Sequence, residues 1–200
     1  MNIQGQGSGY LEDETRYREW RKVRLQSYPE SVEEILVPID GLLTMTASQK
    51  TAIMLACQRS NMAIYQCRDP LADRAAIIAF ASEFGLTRRD LHLCANADGV
   101  SELAVASDGV RTAYVPYSSR SLSWHTDGYY NEKQRQINAV VLHCVQAAAT
   151  GGENDLLDPE LVYICLRDED PRYITALEHP ECMTIPANTG IEGEIRAAVS

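Results

Sequence analysis

Ten consecutive residues, 137–146 (INAVVLHCVQ), constrain the fold more than any other stretch of this chain. They are rich in β-branched and aliphatic side chains, carried on both alternating faces of an extended strand. Such a strand needs cover on both sides, as the central strand of a sheet has. The expected fold class is therefore mixed α/β, a sheet with helices packed outside it. A chain of 200 residues, 45% hydrophobic and 23% charged, is long and apolar enough for one domain with a sizeable core.

The remaining elements arrange themselves around that strand. Residues 1–10 are Gly/Gln/Ser-rich and lack a signal-peptide pattern, so they read as a flexible lead-in. Residues 12–26 read as a helix with a stripe of Tyr17, Trp20 and Val23. Residues 1–30 are thus lead-in and N-terminal helix, and 31–200 the main domain. A short strand is expected at 35–39. Thr46, with Gln49 three residues on, opens a capped helix to about Arg59. A buried strand follows at 62–67. A helix is expected from Asp69-Pro70 through Phe80 and Ala81, stopped by Gly85.

Residues 91–94 and 101–106 read as a hairpin split by Asn96-Ala97-Asp98-Gly99, and 111–115 and 122–127 as further extended pieces. Asp158-Pro159 and Asp170-Pro171 each open a helix, and the intervening run 167–170 reads as a solvated helix end and cap. Strand fragments are expected at 182–185 and 193–199.

Charge and cysteine usage exclude several function classes. A net charge of −10 argues against a nucleic-acid or anionic-membrane surface. No apolar run approaches the ~20 residues that span a bilayer. Six cysteines occur without any C-x-x-C pair, which disfavours a zinc ribbon or redox motif. They read as buried free thiols in a reducing compartment, the cytoplasm.

The chemistry concentrates in residues 124–131, WHTDGYYN. On a strand, residues i and i+2 share a face, so His125 and Asp127 project together. One imidazole nitrogen and one carboxylate oxygen can fill two adjacent positions of an octahedral metal. A further histidine would complete the facial triad of non-heme Fe(II) oxygenases. Taken alone, His-x-Asp is a weak signal, since a surface histidine beside a turn aspartate looks the same. Gly151-Gly152 lacks the lysine of a P-loop.

WHTDGYYN, then a strand, then Thr150-Gly151-Gly152-Glu153-Asn154, together resemble the taurine dioxygenase and gamma-butyrobetaine hydroxylase superfamily of Fe(II)/2-oxoglutarate-dependent oxygenases. The upstream helix–strand–helix ending in Glu83-Phe84-Gly85 is similar to that family's segment before the barrel, so the resemblance covers roughly residues 35–200. It implies part of a double-stranded β-helix, the jelly roll of clavaminate synthase-like proteins. It implies His125 and Asp127 as metal ligands, Asn154 as a contact to the 2-oxoglutarate carboxylate, and Fe(II) and 2-oxoglutarate as cofactor and cosubstrate. Ser121 matches a position that can contact substrate. Tyr129, Tyr130 and Asn131 either line a substrate pocket or pack the barrel mouth. The implied activity is hydroxylation of a small molecule with molecular oxygen.

The family's third ligand and its 2-oxoglutarate-binding arginine lie farther downstream than residue 200. None of His92, His143 and His179 has the right setting for that ligand. The expectation is therefore an N-terminal two thirds of such an enzyme, inactive as it stands, with exposed strand edges that favour a homo-oligomer. The rival expectation is a catalytically silent jelly-roll binding module.

Overall fold

The computed structural model describes residues 13–91, 94–107, 109–190 and 193–196. The chain divides into two compact units, Met1–Leu71 with Cys144–His179, and Ala72–His143 with Pro180–Ser200. Helices and short strands both occur, so the mixed α/β character holds. Among the described residues, no helix is long and apolar enough to cross a membrane.

In the first unit, α1 (Glu14–Ser27) starts where the Asp13 carboxylate accepts from the amides of Thr15 and Arg16. Its buried face runs through Tyr17 and Arg24, whereas Val23 is exposed. This corrects the expected stripe of Tyr17, Trp20 and Val23. A helix turns ~100° per residue, so successive steps of three drift off the face while i+7 returns to it.

A 3₁₀ turn (Val32–Ile35) leads into β1 (Leu36–Ile39), which buries Val37 and Ile39 and exposes Pro38. Then α2 (Ala47–Ser60) opens on the expected reciprocal cap. Gln49 N donates to Thr46 Oγ1 at 3.2 Å, and Thr46 N donates to Gln49 Oε1 at 2.8 Å. The helix ends at left-handed Asn61, whose N–H donates to the Cys57 carbonyl at 2.8 Å.

β2 (Ile64–Cys67) pairs parallel with β1, Leu36 opposite Ile64 and Ile39 opposite Cys67. Its residues alternate between exposed and half-buried, which corrects the expectation of a buried strand. A two-stranded sheet gives each strand one partner, and so leaves an edge open. Farther along, α4 (Pro159–Glu169) and α5 (Pro171–Leu177) start at Asp158 and Asp170, with Pro at the first helical position in each. The core of the unit includes Tyr17, Ile35, Val37, Ile39, Ile53, Ala56, Ile164 and Ile174.

Run 167–170 is not a simple solvated end. Arg167 is buried beneath Tyr17, its guanidinium carbon 3.8 Å from the ring centroid. Asp168 accepts from the Tyr17 hydroxyl at 2.8 Å and from Arg21 Nε. The Arg21 hydrogen bond, ahead of the other causes, holds the Asp168 carboxyl below its ordinary value. Asp170 does cap α5, accepting from Arg172 N.

At the centre of this unit Arg24 Nη2 donates to Asp158 Oδ2 at 2.6 Å, both side chains being buried. Asp158 Oδ1 accepts from Asn61 Nδ2 at 2.9 Å and from Glu160 N at 2.9 Å. Arg24 Nη1 donates to the Gln58 carbonyl, and Glu160 Oε2 lies 2.6 Å from Arg24 Nε. One carboxylate therefore caps α4 and fastens it to α1 and to the end of α2.

The second unit contains α3 (Arg74–Glu83), capped by Asp73, whose carboxylate accepts from Ala76 N at 2.8 Å. The start at Arg74 corrects the expectation of Asp69-Pro70, because Asp69 is engaged in a local turn with Leu71 N. Only Phe80 of the expected apolar face is fully buried, against Phe84 at 5.1 Å. Gly85 (φ +78°) ends the segment in the left-handed region.

Most expected strands take other forms here. Within the described residues, 91–94, 101–106, 122–127 and 137–146 form no strand ladder, and 111–115 gives way to 3₁₀ turns at Val110–Ala113 and Val115–Tyr117. The 96–99 turn is present nonetheless, with Gly99 N donating to Asn96 O at 2.8 Å. A strand exists only when a second backbone lies ~4.8 Å away, and that partner is not encoded in the strand's own pattern. Val140 and Leu142 are consequently about half exposed.

Among the described residues no strand spans 182–185, which corrects that expectation; an antiparallel pair forms instead between β3 (Asn188–Gly190) and β4 (Gly193–Arg196), the latter within the expected 193–199 fragment. Residues 1–12, 197–200 and His92 lie outside the described residues. The six cysteines are free thiols, but Cys144, Cys165 and Cys182 are exposed, which corrects the expectation of burial. Burial raises the thiols of Cys57 and Cys94 above the ordinary value.

Removing one partner of a buried, hydrogen-bonded ion pair strands the other charge. Arg24→Met is expected to lower the unfolding free energy by about 3–5 kcal/mol, measured by urea titration.

Candidate metal centre

The segment around His125 is not a ladder strand, yet it brings the two expected ligands together. His125 Nε2 lies 3.3 Å from Asp127 Oδ1, and both side chains are partly exposed. His125 Nδ1 lies 2.8 Å from the Ser123 carbonyl oxygen. A carbonyl only accepts, so Nδ1 carries the proton and donates. Nε2 is turned toward the Asp127 carboxylate, at a separation that suits either a direct N–H···O contact or a cation shared by both groups.

The donor set fits a metal in chemistry and spacing. Two cis ligands at ~2.1 Å from a metal lie ~3 Å apart. A ligating histidine usually donates its other N–H to a carboxylate or a carbonyl, as His125 does. Among the described residues, no group of three or more His, Cys, Asp or Glu side chains gathers as a metal site. His143 is half-buried and His179 exposed.

A tight turn follows the two candidate ligands. Tyr129 N donates to Thr126 O at 3.2 Å, and Asn131 N to Gly128 O at 2.8 Å. Gly128 has φ +68°, and a Cβ there would stand 2.4 Å from Ile137 Cγ1 and 2.9 Å from Asn131 Nδ2. The close approach of Ile137 and the positive φ both demand glycine. Tyr129 and Tyr130 pack edge to face at 5.3 Å. Tyr130 is half-buried, and burial first, then the charges of Asp90 and Asp127, push its phenol above the ordinary value.

Sequence reasoning missed what holds this turn. Arg135 Nη2 donates to Asp90 Oδ1 at 2.6 Å, and Arg135 Nε to the same oxygen at 3.2 Å. Asn131 Nδ2 donates to Arg135 O at 3.0 Å and to Asp90 Oδ2 at 3.4 Å. Asp90 lies far upstream, in a segment that reads as the lead-in to a hairpin, so no local signal marks it.

The other expected site residues are placed as follows. Ser121 is exposed. Asn154 belongs to the first unit, exposed in its loop, with Nδ2 donating to Gly152 O at 3.2 Å. Gly151 and Gly152 adopt φ +73° and +84°.

Gly128→Ala is expected to destabilise by about 2 kcal/mol or more, since it adds a clash to a left-handed backbone. Gly151→Ala, with an equally positive φ but open space around it, is expected to cost about 1 kcal/mol. Paired thermal melts compare the two.

With this geometry in hand, comparison with known proteins gives one result. The family described as "Taurine catabolism dioxygenase TauD, TfdA family" matches residues 63–192. No curated protein and no solved structure matches the chain. The matched span is more than half the chain and contains the whole of the 124–131 motif as well as the Gly-Gly turn; the chain belongs to the TauD, TfdA family.

Proposed function

We propose that this chain carries two protein ligands of an Fe(II)- and 2-oxoglutarate-dependent dioxygenase that hydroxylates a small-molecule substrate, on a jelly-roll scaffold and in the cytoplasm. The observation that carries this reading is the 3.3 Å approach of His125 Nε2 to Asp127 Oδ1. Membership of the family supports it.

Bound Fe(II), with 2-oxoglutarate and oxygen, supplies the oxidation of an unactivated C–H bond. The chain's own residues do the holding. The Ser123 carbonyl fixes the His125 tautomer, so that Nε2 is free to coordinate. Asp127 contributes a carboxylate oxygen and one negative charge, which lowers the net charge of the centre. Gly128 turns the backbone away without a side chain beside the ligands. The motif position of Asn154, directly after Gly-Gly-Glu, makes it the proposed contact to the cosubstrate carboxylate. Ser121, Tyr129, Tyr130 and Asn131 are the proposed substrate contacts. The edge-to-face rings of Tyr129 and Tyr130 suit an apolar or cationic group.

A second reading, a catalytically silent binding module, draws on the two donors rather than three found among the described residues. Anaerobic Fe(II) calorimetry and an assay of 2-oxoglutarate-dependent succinate release separate the two. His125→Ala and Asp127→Ala are each expected to weaken Fe(II) binding by at least about tenfold; equal affinity in wild type and variants would remove these residues as ligands. Iron binding with succinate release marks the oxygenase, and iron binding without it, both in this chain and in one lengthened to carry a third histidine and the arginine, marks the silent module.

Self-association belongs to the same reading, because Val140, Leu142 and Val145 expose apolar surface along the 137–146 run. Light scattering is expected to give a mass that rises with concentration, and a constant monomer mass would count against it.

A further inference from the structure

The turn after Asp127 has few internal ties. Its backbone bonds span only three residues, Tyr129 to Thr126 and Asn131 to Gly128, with Arg135 to Glu132 just beyond. Such short turns open readily unless something distant fastens them. One side chain from outside the turn does so. The Asp90 carboxylate uses one oxygen for the Arg135 guanidinium and the other for the Asn131 amide. Asn131 in turn lies over Gly128, where its Nδ2 stands 2.9 Å from the position a Cβ would take. Asp90 is largely shielded, its side chain 17% exposed against 55% for Arg135.

We propose that Asp90 is a positioning residue for the metal centre: by gripping Arg135 and Asn131 together, it fixes the turn that follows Asp127 and so holds the His125–Asp127 donor pair at its spacing. The proposal rests on the metal reading given above. It concerns a residue that touches neither donor. The contact links positions 41 and 45 residues apart in sequence. Losing it releases a long loop, whereas losing a local turn bond releases only one step of chain. The pairing is charge-assisted, with two guanidinium nitrogens converging on one carboxylate oxygen.

The test uses the whole chain with Co(II) as probe, at a temperature well below each variant's melting point. Asp90→Ala is expected to weaken Co(II) binding by about tenfold or more and to alter the Co(II) absorption spectrum. The double exchange Asp90→Arg with Arg135→Asp restores the ion pair and is expected to recover part of the affinity. Asp98→Ala removes a comparable surface contact to Arg74 in the same unit and is expected to leave affinity and spectrum unchanged. Unchanged affinity and spectrum in Asp90→Ala would overturn the proposal.

Hydrogen exchange of the metal-free chain separates this proposal from the metal reading. Asp90→Ala is expected to speed exchange at the amides of Tyr129 and Asn131 by about tenfold, with slow exchange retained in α3. Faster exchange in a chain that binds no metal would sink the metal reading and keep Asp90's grip on the turn. Unchanged exchange would overturn that grip itself.

Discussion

Arg24 and Asp158 meet inside the first unit, and three helices are positioned by that meeting. Taking both charges out of water is costly, and the cost is offset by the hydrogen bonds of the Asp158 carboxylate and of both Arg24 Nη atoms, while Arg24 Nε has only the nearby charge of Glu160 and no hydrogen bond. Asp158 accepts from Arg24, Asn61 and the Glu160 amide; Arg24 also reaches the Gln58 carbonyl. The same carboxylate serves as helix cap and as cross-link. The register of α4 against α1 and α2 is therefore set by a directional contact. The apolar core around Ile53, Ala56 and Ile164 fills in around it without needing to choose the register itself.

The second unit uses the same device on a smaller scale. There Asp90 plays the part of Asp158, a shielded carboxylate that joins pieces of chain separated in sequence. Its apolar core is thinner, centred on Phe80, Cys94 and Tyr117. Polar contacts thus carry a larger share of the organisation around the His125–Asp127 pair. A metal bound to that pair would add to them, because ligation favours the arranged form over looser ones.

What the sequence disclosed follows a physical dividing line. Helix starts were legible, because a cap is written within four residues: Thr46 with Gln49, Asp158 with Pro159, Asp170 with Pro171. The closeness of His125 and Asp127 was legible for the same reason, since they lie two positions apart. The start expected at Asp69-Pro70 falls at Arg74 instead, because Asp69 accepts from Leu71 N in a local turn and Asp73 supplies the cap. The strands at 122–127 and 137–146 were misread because an apolar alternation states a need for a partner without naming one. Arg24 and Asp90 were invisible as organising residues, because each acts through a partner dozens of positions away.

The hydrogen bond from His125 to the Ser123 carbonyl has an evolutionary consequence. The acceptor is main chain, and every amino acid that can occupy position 123 carries the same carbonyl. The protonation pattern of the imidazole is therefore insulated from side-chain drift at its immediate support. Position 123 is free to vary in response to solubility, substrate or neighbouring packing without disturbing the ring's chemistry, so long as the backbone path is kept. What the contact asks of position 123 is a backbone conformation and not a particular side chain.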